Sequence, residues 1–145
     1  GSYPHRERWF LNYAGSIMKA MAISGLTAFL AYAINRWIVD RYGEWAIKLL
    51  VPAVEEGLKT GLSIAFGGSL IATHILFGIY EAGYDLVANP GVKVRNRWFA
   101  ALAALTGHGI FGAITWLLLA RGLDPLLSVG IVGLVHGLWN AFVLR

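Results

Sequence analysis

Residues 44–66, EWAIKLLVPAVEEGLKTGLSIAF, form an apolar stretch with two adjacent carboxylates, Glu55 and Glu56, at its centre. The stretch has the length of a membrane-spanning helix, which needs ~20 residues to cross ~30 Å of hydrocarbon. Ionisable groups at bilayer depth cost several kcal/mol unless they pair or line a polar cavity. The sequence therefore predicts a spanning helix whose carboxylate pair has a function.

The 145-residue chain as a whole is apolar, with 57% hydrophobic and 14% charged residues and a mean hydropathy of +0.61. We predict four further spans, roughly Ala20–Ile38, Gly68–Ala88, Trp98–Ala120 and Pro125–Leu144. Only helices and closed barrels satisfy their backbone in lipid, and these runs lack the alternation of barrel strands. The predicted fold is all-α: a polytopic transmembrane helical bundle of about five spans, forming one domain over residues 20–145 with a catalytic-type core in 44–145.

The N-terminal residues and the basic residues predict how the bundle lies in the membrane. Residues 3–19 combine Arg6, Glu7 and Arg8 with Trp9, a mixture too polar to span, and predict an amphipathic interfacial helix. Lys and Arg are more numerous at one set of span ends, so the positive-inside rule places the N-terminus outside and the C-terminus in the cytoplasm of a multi-pass cell-membrane protein. The richer set is Arg36, Arg41, Lys48, Lys93, Arg95, Arg97 and Arg145.

Composition also limits the chemistry and the partners. The chain has no cysteine, so disulfides, thiolate nucleophiles and thiolate metal sites are excluded. The net charge of +4 comes from basic residues spread over span ends instead of one basic face, which argues against nucleic acid. The expected partners are the lipid bilayer and a membrane-embedded peptide or protein substrate, and a homo-oligomer is an open alternative.

Polar residues from four spans are predicted to share one layer of the membrane. Counting ~1.5 Å per residue from the basic side places this layer at ~10–18 Å. Its members are Glu55, Glu56, Glu81, His108 and His136. On the same scale Lys59 and His74 lie higher, at ~21–23 Å, and Asn140 lies lower, at ~6 Å, one turn from His136. His74 is therefore expected to make a local hydrogen bond or to face an upper cavity, outside the layer.

Two imidazoles and a carboxylate at one depth can bind zinc, or can hold and deprotonate a water molecule without metal. Both alternatives remain open, and the candidate metal ligands are Glu55, Glu56, His108 and His136. The two glutamates project ~100° apart on the helix and are expected to face different partners. The competing explanations are plain interhelical hydrogen bonds for the histidines and snorkelling to the interface for Glu81.

Four segments resemble, in order and on four consecutive spans, the PrsW-like branch of the CAAX-protease and bacteriocin-processing superfamily of intramembrane proteases. They are EEGLK at 55–59, EAGY at 81–84, GHGIFG at 107–112 and HGLWN at 136–140. The resemblance implies that Glu55 or Glu56 is the water-activating base, with His108 and His136 as catalytic partners. It also implies that Asn140 helps to form the oxyanion site. Lys59, Glu81 and Tyr84 are assigned supporting roles.

These observations predict an intramembrane endopeptidase that hydrolyses peptide bonds of membrane-associated substrates by glutamate- and histidine-activated water, with or without zinc. The alternative is a non-catalytic membrane scaffold or a small transporter with a polar intramembrane layer. The depth of the layer predicts a cavity that opens toward the basic, cytoplasmic side. The resemblance to PrsW implies the opposite opening, near His74 and Lys59, and the two expectations conflict.

Overall fold

The computed structural model describes residues 4–88, 91 and 93–143, with only the helical backbone described for residues 4–14. Within this part of the chain, five α-helices follow one another: α1 Pro4–Tyr42, α2 Leu50–Phe66, α3 Leu70–Val87, α4 Val94–Ala120 and α5 Pro125–Val143. A short 3₁₀ helix, Glu44–Lys48, connects α1 to α2. Residue 3 and Leu144, at which two predicted elements begin and end, lie outside the described residues.

Polar side chains lie inside this bundle and apolar side chains cover it. The residues with almost no exposed surface include Glu56, Lys59, His74 and His108, while Phe29 is 70% exposed. Three helices are long and apolar enough to cross a membrane: Gly15–Tyr42 within α1, then α4 and α5. Apolar surface outside and polar groups inside are what a bilayer requires of a helical protein. The prediction of an all-helical membrane bundle is confirmed.

The boundaries of the first two predicted spans differ from the structure. Helix α1 runs without a break through residue 19, so residues 4–19 form its first turns instead of a separate helix. No proline follows Pro4 until Pro52, so none interrupts α1, which ends at Tyr42 before Gly43 with its φ of 83°. The predicted span 44–66 is divided into the 3₁₀ helix and α2, because Pro52 has no amide hydrogen and fits only the first turn of a helix. The interfacial position of residues 4–19 stays a prediction.

Glycines let α3 and α4 approach closely around two histidines. A Cβ added to Gly112 on α4 would lie 2.7 Å from the Cβ of His74 on α3. In the reciprocal contact, a Cβ added to Gly78 on α3 would lie 3.0 Å from the Cβ of His108 on α4. Each histidine thus packs over a glycine of the facing helix. This pairing fixes the depth and the direction of both imidazoles.

Candidate functional site

Glu56 is the centre of a buried hydrogen-bond network that joins four elements of the chain. Its Oε1 accepts hydrogen bonds from Lys59 Nζ at 2.6 Å and from His136 Nδ1 at 2.9 Å. Its Oε2 accepts a hydrogen bond from His74 Nε2 at 2.9 Å. Because both oxygens are occupied by donors of the protein, Glu56 holds neighbouring groups in place. It is poorly placed to ligate a metal, against the prediction that counted it among the ligands.

His136 lies between the two adjacent glutamates. A carboxylate only accepts hydrogen bonds, so the contact with Glu56 requires the proton of His136 to be on Nδ1. The opposite nitrogen, Nε2, then carries a lone pair and lies 3.8 Å from Glu55 Oε2. The two glutamates have different hydrogen-bond partners, and both also face His136, which presents a different ring nitrogen to each. Glu56 orients His136, and Glu55 faces its free lone pair.

His108 has the opposite tautomer. The ammonium group of Lys59 can only donate, so the 2.9 Å contact from Lys59 Nζ requires an unprotonated Nδ1 on His108. The proton is then on Nε2, which donates to Glu81 Oε2 at 2.5 Å. The ring centroids of His108 and His136 are 5.1 Å apart. The site therefore combines one imidazole that offers a lone pair with one that offers an N–H.

His74 belongs to this network, although its estimated height placed it outside the layer. The expected local bond is present, from Nδ1 to the carbonyl oxygen of Leu70 at 2.8 Å, but Nε2 also reaches Glu56. Both partners are hydrogen-bond acceptors, so His74 ties the backbone of α3 to the carboxylate of Glu56. The sequence contains a signal that could have found this residue. His74 and His108 are each followed four residues later by a glycine, the spacing that lets two antiparallel helices exchange histidine and glycine contacts.

Counting the charges in the network singles out Glu55. Glu56 has the ammonium of Lys59 and the imidazoles of His74 and His136 in hydrogen-bond contact, and Glu81 has the N–H of His108. Glu55 is buried as well, with 6% of its surface exposed, yet its closest partner in the described network is a neutral amide, Asn35. Among the described carboxylates of this layer, Glu55 and Glu81 both lack a cation in hydrogen-bond contact, and Glu55 is the buried one of the two, since the side chain of Glu81 is 40% exposed. Glu55 is therefore the candidate to take up a proton inside the bundle.

Two cavities reach the network from different sides. The larger, about 760 Å³, lies between α1, α2 and α3 and extends from Glu55 to the exposed charged residues Arg36 and Asp40. The smaller, about 170 Å³, lies between α3, α4 and α5 and is lined by His108 and His136. Glu81 lines both cavities, and its side chain is 40% exposed. The larger cavity thus connects Glu55 to the C-terminal end of α1, where Arg36 and Arg41 lie.

Two predicted site residues lie at the edge of the network. Asn140 lines the smaller cavity, and its Nδ2 donates to the carbonyl oxygen of Ile47 at 3.1 Å, which ties α5 to the 3₁₀ helix. Tyr84 lines the larger cavity, where its ring centroid is 6.0 Å from that of Tyr32. The structure therefore brings together Glu55, Glu56, Lys59, Glu81, His108 and His136, and it adds His74 and Asn35, which sequence reasoning missed.

Glu55, His108 and His136 have the spacing of a metal site, because one potential ligand atom from each lies within 4.8 Å of the others. Oxygen and imidazole nitrogen are donors that zinc accepts, and Glu56 would orient His136 as carboxylates do for metal-bound imidazoles. Both nitrogens of His108, however, already have protein partners. Ligation by His108 requires the bond to Lys59 or the bond to Glu81 to break. The three side chains fit a metal in donor type and spacing. Of the two histidines, only His136 presents a free lone pair.

No family model, no curated protein and no solved structure matches this chain.

Proposed function

We propose that the protein is an intramembrane endopeptidase that hydrolyses a peptide bond with a water molecule activated by Glu55. The observation that carries the proposal is the 3.8 Å separation of Glu55 Oε2 and His136 Nε2, where Glu55 lines the larger cavity and His136 lines the smaller one. The separation is too long for a direct hydrogen bond and suits a water molecule bonded to both atoms. Both atoms are acceptors, so they would orient the oxygen lone pair of that water toward a substrate.

The proposed reaction starts with transfer of one water proton to Glu55 while the water oxygen attacks the carbonyl carbon of the substrate. His136 Nε2 accepts the second hydrogen of the water as a hydrogen bond, and Glu56 keeps His136 in the required tautomer. The resulting tetrahedral carbon then loses its bond to nitrogen. Glu55 returns the proton to the leaving nitrogen, and the products are a carboxylic acid and an amine.

The negative oxygen of the tetrahedral intermediate needs hydrogen-bond donors. His108 and Asn140 both line the smaller cavity and both carry N–H groups. Asn140 has a second amide hydrogen besides the one bonded to Ile47, whereas the Nε2–H of His108, the tautomer that Lys59 imposes through Nδ1, must leave Glu81 to bind the oxyanion. Removal of one oxyanion donor typically reduces kcat by about 10²–10³. His108 and Asn140 are the proposed stabilisers of the oxyanion. Lys59 contributes by setting the tautomer of His108.

We also propose that hydrolysis proceeds without a metal. Glu55, His108 and His136 would hold zinc if it bound, and zinc would then polarise the attacking water or the substrate carbonyl. The ammonium of Lys59 opposes this arrangement, because it occupies His108 Nδ1 and adds positive charge beside the ligands. Cleavage should therefore persist after exhaustive treatment with a chelator such as EDTA. Loss of cleavage that zinc restores would contradict the metal-free form.

The test is cleavage of a panel of membrane-spanning peptides by the protein purified in detergent. Glu55→Gln keeps the size of the side chain and removes the base, so cleavage should fall by about 10²–10⁴. Glu44→Gln is the matched control, since Glu44 is exposed in the 3₁₀ helix. Equal cleavage by both variants would show that Glu55 is not the base.

One observation favours a second function, transport of protons. A continuous chain of hydrogen bonds runs from the partly exposed Glu81 through His108, Lys59 and Glu56 to His74. Chains of ionisable groups inside a membrane commonly relay protons. Protein reconstituted in vesicles that contain a pH-sensitive dye would distinguish the two functions. Proton flux without peptide cleavage would support the transporter. Absence of both proton flux and peptide cleavage would support a scaffold.

A further inference from the structure

Asn35 of α1 connects the first helix to the proposed base. Its Nδ2 donates a hydrogen bond to Glu55 Oε1 at 2.7 Å, across a sequence separation of 20 residues. This is the opposite oxygen from Oε2, which faces His136. The two contacts together fix the plane of the carboxylate. Helix α1 lies outside the segments that resemble the protease family, so neither motif nor resemblance pointed to Asn35.

The second polar atom of Asn35 is the informative one. Its Oδ1 is buried and has no hydrogen-bond partner among the described residues. The orientation of the amide is set by Glu55, whose oxygen requires the nitrogen of Asn35 as donor. A buried acceptor without a partner costs about 1–3 kcal/mol. Asn35 and Glu55 line the same cavity, so a group bound there can supply the missing donor once neighbouring side chains of the wall move aside and expose Oδ1.

The walls of this cavity indicate what that group is. Most of the lining residues are small, aliphatic or aromatic, such as Ala28, Ala31, Phe77 and Tyr80, and the charged ones are Arg36, Asp40, Glu55 and Glu81. Such walls fit an apolar polypeptide segment. An α-helical substrate residue already uses its N–H within the helix, whereas an extended residue leaves its N–H free. A free backbone N–H next to the scissile bond is therefore the donor that matches Oδ1 of Asn35.

We propose that Asn35 is a positioning residue with two contacts: Nδ2 fixes Glu55, and Oδ1 accepts a backbone N–H from a substrate segment in extended conformation. The proposal rests on the proposed endopeptidase function. It assigns α1 to the active site and defines the substrate by conformation: an apolar segment that is locally unwound at the cleavage point. A fully helical segment would leave Oδ1 unpaired and would be a poor substrate.

The two contacts can be separated by two variants. Asn35→Leu removes both, whereas Asn35→Asp keeps an acceptor and removes the donor to Glu55. We expect Asn35→Asp to lower kcat with little change in KM, because the base loses its orientation. We expect Asn35→Leu to lower kcat and also to raise KM by about tenfold, the effect of one hydrogen bond. Equal kcat and KM for wild type and both variants would overturn the proposal.

The substrate contact is tested with one peptide from the panel that the wild type cleaves. Each N–H within three residues of the cleaved bond is replaced in turn by an ester oxygen. One ester should raise KM about tenfold for the wild type and leave KM unchanged for Asn35→Leu, because that variant has no acceptor to lose. Esters with equal effects on both proteins would refute the contact. In a separate comparison, strictly helical peptides that are cleaved as fast as locally unwound ones would refute the proposed substrate class.

A measurement without substrate tests the contact to Glu55. The infrared band of the Glu55 carboxylate, identified as the band lost in Glu55→Gln, should shift in Asn35→Leu. An unshifted band would disprove this contact even in an active enzyme. Absence of any peptide cleavage by the wild type would instead refute the proposed function together with the substrate contact, while the infrared result would still decide the bond to Glu55.

Discussion

Replacement of Lys59 by methionine tests the charge network directly. Lys59 is fully buried, and its ammonium contacts Glu56 Oε1 at 2.6 Å, His108 Nδ1 at 2.9 Å and the ring of Phe77 at 4.6 Å. Methionine is nearly as long and keeps the apolar contacts of the chain, but it removes the charge. The substitution therefore leaves the carboxylate of Glu56 buried with fewer partners.

The magnitude follows from the partners that remain. Removal of one member of a buried ion pair typically costs 3–5 kcal/mol because the other charge stays buried. Glu56 retains the donors His74 and His136, so we expect a value near the lower limit, a loss of about 3 kcal/mol in the free energy of unfolding. A second substitution, Glu56→Gln, removes the stranded charge. The double variant should recover about half of the loss.

The assay is unfolding of the purified protein in mixed micelles, driven by increasing SDS and followed by tryptophan fluorescence. Lys48→Met is the matched control, because Lys48 is exposed and its replacement should change the free energy of unfolding by less than about 0.5 kcal/mol. Two results would refute the reasoning. One is a Lys59→Met protein as stable as the control, and the other is a double variant whose loss equals the sum of the two single losses.

Two further predictions concern packing and access. Gly112→Ala should lower the free energy of unfolding by about 1–3 kcal/mol, because the new Cβ would lie 2.7 Å from that of His74, whereas Gly109→Ala meets no atom within 4 Å and should be neutral in the same assay. Since the chain has no native cysteine, Arg36→Cys can be labelled alone with an impermeant thiol reagent in oriented vesicles. It should react from the cytoplasmic side, and Arg121→Cys, at the other end of the bundle, from the outside; the reverse result would invert the proposed orientation.

The sequence was sufficient to predict the membrane bundle and the residues that meet, but not how they meet. Hydropathy locates apolar helices, and the constant rise of a helix gives a depth for Glu56 and His136. Depth is one coordinate only. It contains no information on the direction of a side chain around the helix axis, so it could not show that a single imidazole bonds Glu56 through one nitrogen and faces Glu55 with the other.

The residues that sequence reasoning missed have specific causes. The height estimate assumed that all spans end in two common planes, and this placed His74 above a carboxylate that it contacts at 2.9 Å. Asn35 was missed because an isolated asparagine near a helix end is common and carries no motif. Only the fold shows that Asn35 lies beside a glutamate 20 residues away. The division of the second span at Pro52 was readable in principle, since proline restricts where a helix can begin.

The separation of these partners along the chain bears on the order in which the protein is made. Helix α2 is 17 residues long and contains Glu55, Glu56 and Lys59, so as an isolated segment it would enter lipid at a cost of about 2.5–3.5 kcal/mol for each charge. When α2 leaves the ribosome, Asn35 has already been synthesised, but His74 follows 18 residues after Glu56, and His136 follows 80 residues after it. Lys59 is made with α2 and His74 with α3, but His136 arrives last, with α5. The complete set of partners that holds Glu56 in the membrane therefore exists only after synthesis of the fifth helix.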